Sequence, residues 1–171
     1  MTGAYWVWKS APETDYKGLC HYRRTFAVGR DGLKKMISND VDVLLPTARY
    51  IPGSVRDMFL AETPVKQPVM AWLEDALQQI HFEDFDGFCA FLQDHFYFPN
   101  NLVVAKRRIY DEYCDWVFSV LFRLLEMEVE KQYDRLEDRH LGYVAELLTS
   151  YFFIKNKDRL HIVTTDYFYG V

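Results

Sequence analysis

Within five residues, Cys20-His21-Tyr22-Arg23-Arg24, the sequence sets an imidazole, a phenol and two guanidiniums. Adjacent guanidiniums make charge-assisted, often bidentate bonds to anionic oxygens. His21 adds a side chain whose unperturbed pKa lies near ~6.5, suited to donating a hydrogen bond or acting as a general acid. The run closes a segment, Asp15 to Arg24, that reads as a buried strand with a polar end. Successive strand residues point to opposite faces, so at most one of each neighbouring pair can face a ligand, and the bland alternative is a solvated basic doublet. Glu146 lies inside the apolar helical stretch Leu141 to Phe153, where an unpaired charge is costly. It is the carboxylate candidate, against the alternative of a helix-surface glutamate. Asn100-Asn101 opens a β-branched run with amides that both donate and accept, or forms only the turn that starts a strand.

Other chemistries are poorly supplied. No CxxC or HExxH spacing is present, and His81, His95, His140 and His161 have no metal-ligand spacing to one another. Cys20, Cys89 and Cys114 are odd in number, far apart and set among apolar neighbours, which fits reduced core thiols. With 25 acidic and 20 basic side chains the net charge is −5, which argues against duplex nucleic acid as a partner. The longest apolar window, Trp116 to Phe122, is far short of the ~20 residues a membrane span needs. The N-terminus lacks the pattern of a signal peptide, so the expected location is cytoplasmic.

The elements that must position these groups follow from length and periodicity. At 171 residues, half of them apolar and 17% aromatic, the chain suits one soluble domain, residues 1–171, that needs no disulfide or metal staple. Thr2 to Ser10 reads as a helix ended by Ala11-Pro12. Val41 to Pro46 is a second strand or edge segment, joined to the first by a polar connection containing Gly29 and Gly32. Helices are expected over Gly53 to Ala61, with Ser54 near the start, Val69 to Ile80 and Phe85 to Phe96. Residues 101 to 105 form a buried strand, and the longest helix covers about Arg108 to Gln132. A last helix, about Leu136 to Lys155, precedes a strand in Arg159 to Thr165. Strands separated by helices of unequal length point to an α/β layer architecture with a helix-rich C-terminal half.

Three stretches together resemble a known pattern. They are Ala4 to Ser10 with Asp15 to Phe26 (AYWVWKS, DYKGLCHYRRTF), Asn100 to Phe122, and Gly142 to Leu148. The chain resembles a bacterial family of glycosyltransferases long catalogued as a domain of unknown function and found in capsule, exopolysaccharide and O-antigen gene clusters. GLCHYRR is the most specific mark.

The resemblance implies a GT-A-like fold and transfer of one sugar from a nucleotide-sugar donor, UDP-linked, to a growing and sometimes lipid-linked glycan. For some relatives the sugar is galactofuranose. Peripheral association with the inner face of the membrane belongs to the same picture. In GT-A enzymes an acidic DxD motif holds a divalent cation against the donor diphosphate. The comparable strand here ends in His21-Tyr22-Arg23-Arg24 without a carboxylate. The expectation is therefore a site without metal or other cofactor, in which Arg23, Arg24 or both, with Tyr22, replace the cation; Mg²⁺ or Mn²⁺ stays open. Asn100, Asn101 and Trp6 are the sugar-binding candidates, and Glu146 and His21 the catalytic ones. Two departures from the family pattern stand out. Ala145-Glu146-Leu147 replaces a Ser-Glu-Arg triplet, and Glu62-Thr63-Pro64-Val65-Lys66 stands where a His-His pair is common. The GT-A segment that binds the nucleotide base, ~60 to 80 residues, is expected to be missing before Thr2. The alternative function is a non-catalytic glycan-binding or scaffolding remnant, with Tyr5, Trp6 and Trp8 stacking on sugar rings or a partner.

Overall fold

The computed structural model describes residues 1–21, 23–127 and 140–169. A four-stranded mixed sheet forms its centre. Helix α1 (Thr2–Ser10) leads into β1 (Tyr16–Leu19), and β2 (Arg24–Phe26) and α2 (Arg30–Ser38) follow before β3 (Val43–Pro46). Next come β4 (Arg49–Tyr50), α3 (Val55–Glu62), α4 (Gln67–Ile80), a single 3₁₀ turn at Phe82–Asp84, and α5 (Phe85–Leu92). Then β5 (Phe96–Tyr97), β6 (Val103–Lys106), α6 (Arg107–Met127), α7 (His140–Lys155), β7 (Ile162–Thr165) and β8 (Tyr167–Tyr169) complete the described chain.

The strand order is β1-β6-β3-β7, with β6 antiparallel to both neighbours and β3 parallel to β7. Alternation along the central strands divides the core. Val43, Leu45, Val103 and Ala105 face the large cluster built by α3 to α7, whereas Leu44, Leu102 and Val104 face a smaller one with Phe26, Met36 and Val41. The β1–β6 pair is closest at Gly18, where a Cβ would fall 2.7 Å from the Val103 carbonyl oxygen and 2.9 Å from the Val104 Cα. Only glycine fits there. Beside it Lys17, buried, donates to Asp111 (2.8 Å) and the Trp8 carbonyl (3.3 Å), tying β1 to α1 and α6.

The helices expected over residues 53–61 and 69–80 are present, and Ser54 caps α3 by accepting from the Asp57 N–H at 3.1 Å. Four expectations need correction. The segment Asp15 to Arg24 is not one strand: β1 stops at Leu19 and Arg24 opens β2. The polar connection around Gly29 and Gly32 contains α2, whose nine residues bury only Met36 and so carry little apolar signal. Val41 to Pro46 lies inside the sheet, because Pro46 falls at the strand's last position, paired with Thr165. The helix expected over residues 85–96 ends at Leu92, and Phe96-Tyr97 instead pairs with Arg49-Tyr50. The expected stretches 128–132 and 136–139 of the two long helices lie outside the described residues.

Candidate functional site

One wall of the site is built by α7. Gly142, Glu146, Thr149 and Ser150 recur at i, i+4, i+7 and i+8, which puts them on one helical face. That face grips the turn between β5 and β6. The Phe98 N–H donates to the Ser150 hydroxyl (2.9 Å), which in turn donates to the Phe98 carbonyl (3.0 Å). The Asn101 amide donates to the Gly142 carbonyl (2.9 Å) and accepts from Thr149 (3.1 Å), whose oxygen is 2.8 Å from the Tyr113 hydroxyl. Asn100 and Asn101 are both left-handed, at φ 75° and 52°, a conformation asparagine adopts more readily than most residues. The turn so formed points the Asn100 N–H at the Glu146 carboxylate, which accepts it.

The opposite rim comes from the end of β1 and the strand pair β2–β8. The Arg24 N–H donates to the His21 carbonyl (3.0 Å), closing a tight turn, and the Arg23 N–H donates to His21 Nδ1 (3.2 Å). His21 Nδ1 is therefore an acceptor, and the neutral ring carries its proton on Nε2. Arg24 lies opposite Tyr169 in the antiparallel register, with its guanidinium carbon 5.1 Å from that ring's centroid. Farther along, Arg49 pairs with Glu62 (3.3 Å) and hydrogen-bonds the Tyr97 hydroxyl.

Residues of both walls line one cavity of about 1280 Å³. One end is polar, with Arg24, Arg49, Tyr97, Asn100, Glu146 and Tyr169; the other is apolar, with Tyr5, Phe118, Phe122 and Leu125. Burial pushes the Glu146 carboxyl up to about 6, against the opposing pull of the Asn100 N–H and the Arg24 charge. Burial likewise raises the Tyr97 phenol, with Arg49 pulling the other way. The Tyr169 phenol is lowered, first by a hydrogen bond with Tyr167 and then by one with Arg24. Two donors in this cluster, Arg24 Nε and Asn100 Nδ2, are buried with no hydrogen-bond acceptor.

Of the residues singled out in the sequence, His21, Arg23, Arg24, Asn100, Asn101 and Glu146 all line this cavity. Asn101 has its amide committed to Gly142 and Thr149, so it shapes the turn, whereas Asn100 keeps an unpaired donor. Tyr22 lies outside the described residues. Trp6, 58% exposed, is not in the lining; its neighbour Tyr5 is. The three cysteines are free, but only Cys114 is a core thiol, its pKa pushed up to about 12 by burial; Cys89 is half-buried and Cys20 is exposed at the cavity. Arg49, Tyr97, Tyr167 and Tyr169 escape notice in the sequence. Arg49 had one available signal, since it follows the carboxyl end of β3, where open α/β sheets place ligands.

Among the described residues, the cavity presents only two carboxylates to a cation. The cavity's carboxylates, Glu62 and Glu146, are engaged by Arg49 and by the Asn100 N–H. Among the described residues, three ligand atoms come within 4.8 Å of one another at His81, Glu83 and Asp84, outside the lining. There Asp84 already accepts from Trp116 (2.9 Å) and from Lys155.

Comparison with known proteins gives a likeness of fold and a family. The fold matches the apo structure of WbbM, a bifunctional glycosyltransferase, with a TM-score of 0.85 over 99% of this chain at 20% identity. The chain covers 36% of that protein's length, and the likeness is one of fold. No curated protein matches the sequence. Residues 1–157 match the family described as "Domain of unknown function (DUF4422)", and the chain belongs to it. No helix among the described residues is long and apolar enough to cross a membrane.

Proposed function

We propose that residues 1–171 act as one catalytic domain of a GT-A-like glycosyltransferase, moving a sugar from a UDP-linked donor to a cell-surface polysaccharide, with galactofuranose among the candidate sugars. The observation that carries this reading is the pair of buried, unpaired donors, Arg24 Nε and Asn100 Nδ2, beside the half-buried Glu146. An unpaired buried donor costs on the order of 1–3 kcal/mol, and a ligand bringing acceptor oxygens relieves that cost. The shared fold with a glycosyltransferase supports the same class.

In the reaction the bond between the anomeric carbon and the diphosphate oxygen breaks, and a bond forms to an acceptor hydroxyl oxygen. Arg24, with Arg23 at the exposed rim, takes the negative charge growing on the leaving diphosphate, the role a divalent cation has elsewhere. Glu146, with a pKa of about 6, is mostly ionised at neutral pH and accepts the proton lost by the acceptor hydroxyl. The Asn100 N–H fixes the carboxylate's orientation. His21, protonated on Nε2, donates to a phosphate oxygen. The apolar end of the cavity suits the hydrocarbon of a lipid-linked acceptor at the inner face of the membrane.

Calorimetric titration of the chain with UDP tests the donor site, beside a parallel titration with acidic oligosaccharide. Binding of UDP without added metal, lost in Arg24→Ala, supports the transferase reading. Binding of oligosaccharide with no affinity for UDP overturns it in favour of a glycan-binding module.

A further inference from the structure

The matched family region stops at residue 157, yet the cavity's rim includes Tyr169, on a strand beyond it. That strand, β8, pairs only with β2 among the described residues, and the register sets Tyr169 directly opposite Arg24. The guanidinium carbon is 5.1 Å from the Tyr169 ring centroid, within range for a cation–π contact. The Tyr167 and Tyr169 rings lie 5.7 Å apart, and the Asn100 side chain stands beside the Tyr167 hydroxyl. Both unpaired donors of the cavity thus touch residues of β8. Arginine has several rotatable bonds, so without a partner its guanidinium spreads over many positions.

We propose that Tyr169 is a positioning residue: its ring holds the Arg24 guanidinium at the cavity rim, so that the C-terminal strand sets the affinity for a diphosphate-bearing ligand. The role in affinity rests on the reading of the cavity as a donor site; the hold on Arg24 does not. Tyr169 is 68% exposed, so its replacement leaves the core untouched.

Two measurements on the full chain separate these parts. The first needs no ligand. The Arg24 Nε–Hε signal in a ¹⁵N–¹H correlation spectrum, assigned by its loss in Arg24→Lys, is expected to be shifted by the Tyr169 ring current. It should move to the position of solvated arginines in Tyr169→Ala and keep most of its ring-current shift in Tyr169→Phe, which loses the phenol's hydrogen bond with Arg24 but keeps the ring. A signal that Tyr169→Ala leaves unmoved overturns the proposal, whatever the ligand does. In the second, UDP is titrated calorimetrically. Tyr169→Ala is expected to raise Kd about tenfold, Tyr169→Phe, which keeps the ring but loses the phenol's hydrogen bond with Arg24, to fall between it and wild type, and Arg24→Ala with Tyr169→Ala to bind no more weakly than Arg24→Ala alone. Additive losses, or wild-type affinity in Tyr169→Ala beside a clear loss in Arg24→Ala, overturn it. If wild type itself fails to bind UDP, the donor-site reading falls, and the spectrum alone decides the hold on Arg24.

Discussion

The two walls of the cavity are built on opposite principles. The Glu146 wall is an extension of the core: α7 buries nine residues, and its Thr149 and Ser150 spend their hydroxyls gripping the Phe98 to Asn101 turn. The arginine rim is a pair of short strands held by three register pairs, with Thr25, Phe168 and Tyr169 exposed. The carboxylate is thereby fixed by packing, and the guanidinium by one tyrosine. A charge that must hold its orientation belongs on the first kind of support. A charge that must meet and release a ligand belongs on the second.

Breaking the rigid wall should have the largest effect. Asn101→Ala removes both amide hydrogen bonds, leaves the Gly142 carbonyl and Thr149 hydroxyl short of a partner, and forces alanine to φ 52°. About 3 kcal/mol of stability should be lost, against about 2 for Asn101→Gly, which tolerates the backbone but not the missing bonds. Urea unfolding of the two variants checks this. Equal losses would mean that the left-handed backbone contributes nothing.

Glu146→Gln comes next and has a pH signature. The folded pKa, about 6, lies above the ordinary 4.5, so the folded state holds the proton more tightly than the unfolded chain does. The stability linked to that proton is fully present below pH 4.5 and is lost as pH rises through 6. The variant should match wild type near pH 4 and exceed it by about 2 kcal/mol at pH 7.5, at ~1.4 kcal/mol per pKa unit. Urea midpoints at both pH values measure the difference. A gap that does not change with pH would break the claim that this wall holds Glu146 in a desolvated place. Transfer, on the proposed function, should fall by about a thousandfold at the same time.

The walls also differed in how far the sequence disclosed them. Glu146 was legible because an apolar helical run makes one carboxylate conspicuous, and Asn100-Asn101 because a polar pair before a β-branched run marks a turn. The long helices were legible through period, and Ser54 through its capping position. The rim was not. His21 to Arg24 reads locally as the end of one strand, and nothing local reveals that Arg24 instead pairs with Tyr169 across more than a hundred residues. Arg49 and Tyr97 meet for the same reason, through two-residue strands too short to carry a pattern. Lys17 is buried against Asp111, ninety-four residues away, a pairing that no spacing rule anticipates. Side chains marked by their neighbours in sequence could be found, and the partners that tertiary pairing brings them could not.

The smallest effect should separate the two adjacent arginines, which the sequence presents as equals. Arg23 is exposed, and the bond it gives to His21 Nδ1 comes from its backbone N–H, which alanine also supplies. Arg23→Ala should therefore leave the turn intact, change stability by less than about 0.5 kcal/mol and weaken UDP by about threefold or less. Arg24→Ala removes a buried unpaired Nε, so stability should hold or rise slightly while UDP affinity drops by about thirtyfold. Denaturation and calorimetry on the same two variants give both readings. Equal losses of affinity would show that the rim acts as a diffuse positive field. The expected tenfold separation would show that one guanidinium, held against Tyr169, makes the contact.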